Sequence, residues 1–177
     1  MRKLTMADLR RPSAAEAAQS PKLPYVVVLD NIRSMHNVGS LFRTADAFGC
    51  LKLLLCGITG TPPHREIQKT ALGSEETVSW VHYADTVSAV QDLKQAGYYC
   101  LALEQAEGAI MLQDLALPLG QPVALVLGNE VEGVQQQVVD ACDACLEIPQ
   151  LGHKHSLNVS VAAGVAMWEI TKVLMKG

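Results

Sequence analysis

The residues of this 177-residue chain that could do chemistry gather in three short polar stretches, each directly behind an apolar run. Residues 30–37 (DNIRSMHN) follow YVVVL, residues 128–133 (GNEVEG) follow VALVL, and residues 150–158 (QLGHKHSLN) follow LEIP. Several chemistries are open to them. Glu130 and Glu132 could share acid–base work, or one could sit in an ion pair. Cys142-x-x-Cys145 with His153 and His155 offers zinc-type ligands. Cys142, however, falls at a helix end and Cys145 enters a buried strand, so no metal is expected. A redox role for the same pair lacks its usual place at the start of a helix after a strand. Ser156 beside His155 suggests a nucleophile, but adjacent residues at a helix start point apart and no GxSxG elbow is present. Neither GxGxxG after the first strand nor GxxxxGK[ST] occurs, which excludes the two common phosphate grips. Gly128 and Gly133 fit plain turn chemistry equally well. The spacing that remains is that of a ligand site beyond the carboxyl ends of strands.

The elements that must position these stretches can be read in order. Residues 25–29 form a β-branched run of the kind buried on both faces. A helix is expected to open at Asn37, with Val38, Leu41, Phe42, Ala45 and Phe48 on one face and Gly49 ending it. Arg43 lies on that helix beside the apolar stripe, and its charge needs a partner or the helix edge. Strands are expected at 53–56, 78–83, 98–103 and 123–127, and a short one closes on Leu146 and Ile148. Helices are expected ending at Ala71, over 86–96 and over 134–141. Residues 108–119 are expected to be irregular or briefly helical. The last helix runs from Leu157 through Val159, Val161, Ala162, Ala163, Val165, Met167 and Trp168. It is apolar on every face, so it should be buried on more than one side. Ser156 is the expected cap, or with Asn158 a ligand contact. Alternating strands and helices imply an α/β domain with a mostly parallel sheet and helices on both faces, over residues 25–177, after a tail at 1–24.

Composition narrows the class. Hydrophobic residues make up 49% of the chain, enough for a real core in one domain. No signal-peptide stretch or membrane-length apolar run is present, and five scattered cysteines do not form a disulfide framework, so a cytoplasmic protein is expected. Residues 1–43 carry seven Lys/Arg against three Asp/Glu, and the remainder seven against fifteen. A basic N-terminal arm can contact nucleic-acid phosphates, though a solvated terminus has the same composition.

Three blocks in register then carry a resemblance. NVGSLFRTA at 37–45 has the form N-x-G-x-x-x-R-T-A. LVLGNEVEG spans 125–133. Ile148-Pro149 leads to Gly152 and on to SLNVSVA at 156–162. Together they resemble the SpoU (TrmH-type) branch of the SPOUT RNA methyltransferases, from about Tyr25 to the C-terminus.

The resemblance implies a SPOUT-type α/β fold whose C-terminal segment threads a deep trefoil knot, although general rules of chain topology argue against knots. It implies S-adenosylmethionine (AdoMet) as cofactor, held by Leu103, Gly128, Asn129, Ile148, Leu151, Gly152 and Leu157. It implies methyl transfer to a ribose 2′-hydroxyl, with Arg43, Asn37, Glu130, Ser156 and Asn158 as the catalytic set. A guanidinium stays protonated, so Arg43 would hold phosphate and developing alkoxide rather than act as a base. Glu130 is expected to be the anionic partner of a half-buried Arg43. RNA would be held by Arg33, Arg65 and Lys69, with tRNA favoured over rRNA. A homodimer is expected, because one core cannot cover every face of the last helix, and Ala162, Ala163 and Gly164 allow close approach. Two rivals remain: a non-enzymatic RNA-binding protein on the same scaffold, and an AdoMet enzyme acting on protein or a small molecule.

Overall fold

The computed structural model describes residues 1–5, 8, 9, 16, 20–153 and 156–176. The basic residues Arg10 and Arg11, and His155 of the third polar stretch, lie outside the described residues.

Seven strands form one sheet in the order β3-β2-β1-β6-β4-β7-β5, every pair parallel. They are β1 (Leu23–Asp30), β2 (Cys50–Cys56), β3 (Trp80–Tyr83), β4 (Tyr99–Leu103), β5 (Ile110–Met111), β6 (Val123–Leu127) and β7 (Ala144–Glu147). From β1 the chain winds outward through β2 to β3. It then returns to build the other half beside β1, starting with β4. The sheet order therefore reverses between β1 and β6, whose paired ends are Leu29 and Leu127.

Helices cover both faces, and this explains why the central strands are apolar without alternation. On one face α1 (Met35–Ala47), α2 (Arg65–Ala71) and α6 (Val159–Leu174) pack on Val27, Leu29, Leu53, Leu55, Leu125 and Leu127. On the other, α4 (Thr86–Gln95) and α5 (Gln136–Ala141) pack on Val26, Val28, Ala102, Ala124 and Val126. The four-residue α3 (Ser74–Thr77) completes the connection into β3.

Several elements depart from expectation. Residues 108–119 contain a strand, β5, as well as a 3-10 turn at Leu112–Asp114. Two residues of ladder are too few to leave a periodic pattern. The first helix starts at Met35 rather than Asn37, because Ser34 caps it: its hydroxyl accepts from the Asn37 backbone N–H at 3.3 Å. Gly49, with φ 63°, does end it. The last helix is capped by Asn158, not Ser156. The Asn158 side-chain oxygen accepts from the Ser160 N–H at 2.9 Å and from its hydroxyl at 2.6 Å. That helix is not buried on all sides within one chain. Ala163, Ala166, Met167 and Ile170 are buried, but Val161, Val165 and Trp168 are 53%, 43% and 51% exposed.

Candidate active site

A cleft of about 500 Å³ opens beyond the carboxyl ends of β4, β6 and β7. This is the side of a parallel sheet where the strand-to-helix loops meet, next to the point where the strand order reverses. Leu103, Gly128, Ile148 and Leu157 supply apolar and backbone surface, and Asn129, Glu130, Ser156 and Asn158 supply polar groups.

The loop behind β6 forms one wall. Asn129 and Gly133 exchange two backbone hydrogen bonds, each 2.9 Å, closing a tight hairpin. The Asn129 amide donates to the Asn31 carbonyl at 2.8 Å, and its oxygen accepts from the Val131 N–H at 2.8 Å. A Cβ on Gly128 would collide with the backbone of Gly133 and Val134. The glycine is therefore required by the hairpin itself.

Glu130, at the tip of this hairpin, ties it to the loop behind β1. Its carboxylate accepts from the backbone N–H groups of Arg33 (2.9 Å) and Ser34 (3.0 Å) and from the Asn37 amide (2.9 Å). Asn158 in turn donates to the Asn37 side-chain oxygen at 3.2 Å. Three residues far apart in the chain are thereby linked in one network. Burial would push the Glu130 carboxyl up, but the donors from Arg33, Asn37 and Ser34 outweigh it and hold the group below the usual carboxylate range.

Asp30, which the sequence reading passed over, anchors the same loops from below. It is fully buried and accepts from the Gln135 backbone N–H at 3.0 Å, the Gln135 amide at 3.1 Å, the Asn31 amide at 2.9 Å, and the Thr86 hydroxyl. The signal was present: an acid closing a run of buried apolar residues must find donors.

Not every expected residue reaches the cleft. Leu151 and Gly152 do not line it; both are exposed, Leu151 fully. Arg43 is exposed rather than half-buried, and it has no ion pair or hydrogen bond among the described residues, so it is not the partner of Glu130. It lines a second groove, between α1 and α6, with Phe48, Val161, Gly164, Val165 and Trp168. Six residues along a helix turn the Arg43 side chain away from the Asn37 face. Among the RNA candidates, Arg33 and Arg65 are exposed cations, whereas Lys69 is held by Glu66 at 2.6 Å, which also meets His36 at 2.8 Å.

Among the described residues no group of three or more His, Cys, Asp or Glu side chains could hold a metal ion. Burial pushes the Cys142 thiol up to about 12, far from the thiolate that redox or metal chemistry requires. No helix among the described residues is long and apolar enough to cross a membrane.

The sheet order, the cleft at its strand ends and the network of Asn37, Glu130 and Asn158 define an α/β protein with a ligand site built from three sequence blocks. The sequence profile of the SpoU rRNA methylase family matches residues 24–168, and the chain belongs to that family. It is 34% identical over 148 residues to a Staphylococcus haemolyticus protein named for the TrmH family of tRNA/rRNA methyltransferases, covering 84% of this chain and 58% of that one. The chain thus spans under two thirds of that relative's length. Among solved structures, an AdoMet-bound rRNA methyltransferase from Sinorhizobium meliloti superimposes with a TM-score of 0.79 at 28% identity, covering 92% of this chain and 61% of that one. A structure described in terms of 2-OH methylation of C/U34 on tRNA superimposes with a TM-score of 0.76 at 25% identity, over 86% of this chain and 97% of that one.

Proposed function

We propose that the protein is a cytoplasmic enzyme that transfers the methyl group of AdoMet to a ribose 2′-hydroxyl in structured RNA, with tRNA favoured over rRNA. The observation that carries the reading is the cleft whose rim joins Asn37, Glu130 and Asn158. Its volume suits a nucleoside-sized ligand. Leu103, Ile148 and Leu157 give an adenine apolar walls, and the Gly128 main chain can approach it closely. AdoMet supplies the electrophilic methyl group when bound. The SpoU relative from Sinorhizobium meliloti, which holds AdoMet, supports this assignment. The SpoU family's association with the trefoil knot supports the same path for the segment between β7 and α6.

An alcohol attacks a methyl group poorly until its proton is displaced. The Asn37–Glu130–Asn158 network is fixed before RNA arrives, so it can orient a ribose edge and Ser156 without reorganising. Arg43 supplies positive charge to the phosphate and to the developing alkoxide, while the phosphate or water takes the proton. Because Arg43 lies outside its own chain's cleft, the complete site requires a second copy docked through α6, which covers Val161, Val165 and Trp168. Arg33 and Arg65 extend a basic surface for the RNA backbone.

The test is calorimetric titration with AdoMet, followed by methyl transfer to total RNA against a protein extract, with nuclease mapping of 2′-O-methyl sites. AdoMet binding and label in ribose are expected. Absence of AdoMet binding would favour the binding-protein rival, and label in protein rather than RNA would favour the other.

A further inference from the structure

We propose that Glu104 selects the cofactor by charge, favouring the cationic methyl donor over the neutral thioether that methyl transfer leaves behind. The inference rests on the AdoMet reading of the cleft. Glu104 is the first residue past β4, the middle of the three strands whose ends form the cleft, and it lines that cleft.

The carboxylate is fixed by main chain on several sides. One oxygen accepts from the Gln105 N–H and the other from the Val134 N–H, both at 2.9 Å. Its own N–H donates to the Leu146 carbonyl of β7 at 2.9 Å. Gly133 is bare where the side chain passes: a Cβ there would collide with the carboxylate, and its φ of 71° already disfavours other residues. Among the described residues every donor to the Glu104 carboxylate is a neutral backbone N–H, one on each oxygen, so its charge is oriented but not cancelled.

Among the described residues the rest of the lining adds no opposing charge. Glu130 and Glu132 also face the cleft, and no lysine or arginine lines it among the described residues. The donors to Glu130 are neutral too, and the Glu132 carboxylate has no partner among the described residues. At neutral pH AdoMet carries a sulfonium, an ammonium and a carboxylate, one net positive charge. Its thioether product has lost the sulfonium charge and is neutral. In a partly sheltered cleft, a carboxylate distinguishes the two by Coulomb attraction alone. Retention of donor and release of product then share one cause.

The test is calorimetric titration of the whole chain with AdoMet and separately with S-adenosylhomocysteine, for wild type, Glu104→Gln and Glu132→Gln. Glu104→Gln should weaken AdoMet about tenfold, the scale of one sheltered charge contact, and leave the thioether within about twofold. Glu132→Gln, at an exposed unpaired side chain, should show the same selectivity loss to a smaller degree. Equal losses for both ligands in Glu104→Gln would make Glu104 a brace for the loop and overturn the proposal. The Gln amide must face a backbone N–H, so folding of that variant could suffer. Wild type in rising salt supplies the second measurement: AdoMet affinity should fall while thioether affinity stays level, and parallel behaviour overturns the proposal. If wild type binds neither ligand, the AdoMet reading itself fails, a separate result.

Discussion

The cleft behind β4, β6 and β7 and the groove between α1 and α6 divide the candidate catalytic residues between them, and they are built on opposite plans. At the cleft, Glu130 and Asn158, which line it, both bond to Asn37, and Glu130 also accepts from the backbone N–H groups of Arg33 and Ser34. In the groove, Arg43 has no partner among the described residues, and it stands beside Val165 and Trp168, which are about half exposed. Trp168 makes a tilted ring contact with Phe48, centroids 5.8 Å apart. A polar network closed within its own chain is ready for a ligand. The unpaired cation beside uncovered apolar side chains marks the face through which we propose that a second copy docks.

The sharpest way to break this contrast is at Arg43. Arg43→Ala should leave AdoMet affinity near wild type while single-turnover RNA methylation falls about a hundredfold or more, the scale of losing one preorganised charge. Arg43→Lys should recover little, since a point charge does not replace a fork. If Arg43 serves the partner's cleft, mixing Arg43→Ala with Asn158→Ala should restore methylation that neither variant has alone. A mixture as inactive as its components would return Arg43 to its own chain's site. If Arg43→Ala loses AdoMet binding instead, the two regions are not separate.

A smaller effect is expected on assembly. Val165→Glu places a charge in the middle of the uncovered α6 face, where burial without a partner is costly. Sedimentation should show dimer for wild type at micromolar concentration and monomer for the variant, with AdoMet binding retained. A wild-type monomer would refute the pairing and leave the α6 face without an occupant.

The smallest effect concerns pH. The carboxyl of Glu130 is held below its usual value in the fold, so the unfolded state binds its proton more readily. The stability it contributes is complete above the unfolded value and is lost as pH falls through the lower folded value. Wild type should therefore be more heat-stable than Glu130→Gln at neutral pH, and the gap should shrink on acidification below about pH 4. A gap independent of pH would mean that the carboxylate charge does not support the hairpin.

Much of this architecture was legible because strand burial on two faces leaves an unmistakable run of apolar residues, as in YVVVL and VALVL. The polar loops behind them marked the strand ends, and three of those loops do meet. Legibility stopped where a residue's neighbours come from far along the chain. Glu130 was matched with Arg43 because both are charged and belong to one resemblance, yet backbone N–H groups of Arg33 and Ser34 take that place, and main-chain donors leave no trace in residue type. Leu151 was assigned to the pocket by the resemblance alone, yet its side chain is fully exposed. Asp30 and Glu104 could have been found, as acids that end apolar strands where every buried oxygen must be met by a donor.

The interior position of β1, between β2 and β6, sets the order in which the molecule can be made. Its neighbour on one side, β2, follows it closely in the chain, but on the other side Leu29 waits for Leu127. From Tyr25 to Asp30 the strand is buried in the finished sheet, so through most of synthesis one of its edges is open and apolar. Contacts of such long sequence separation make folding slow. The cleft can close only after β6, β7 and the cap of α6 have emerged, and until then the nascent chain presents a template for pairing with the wrong strand.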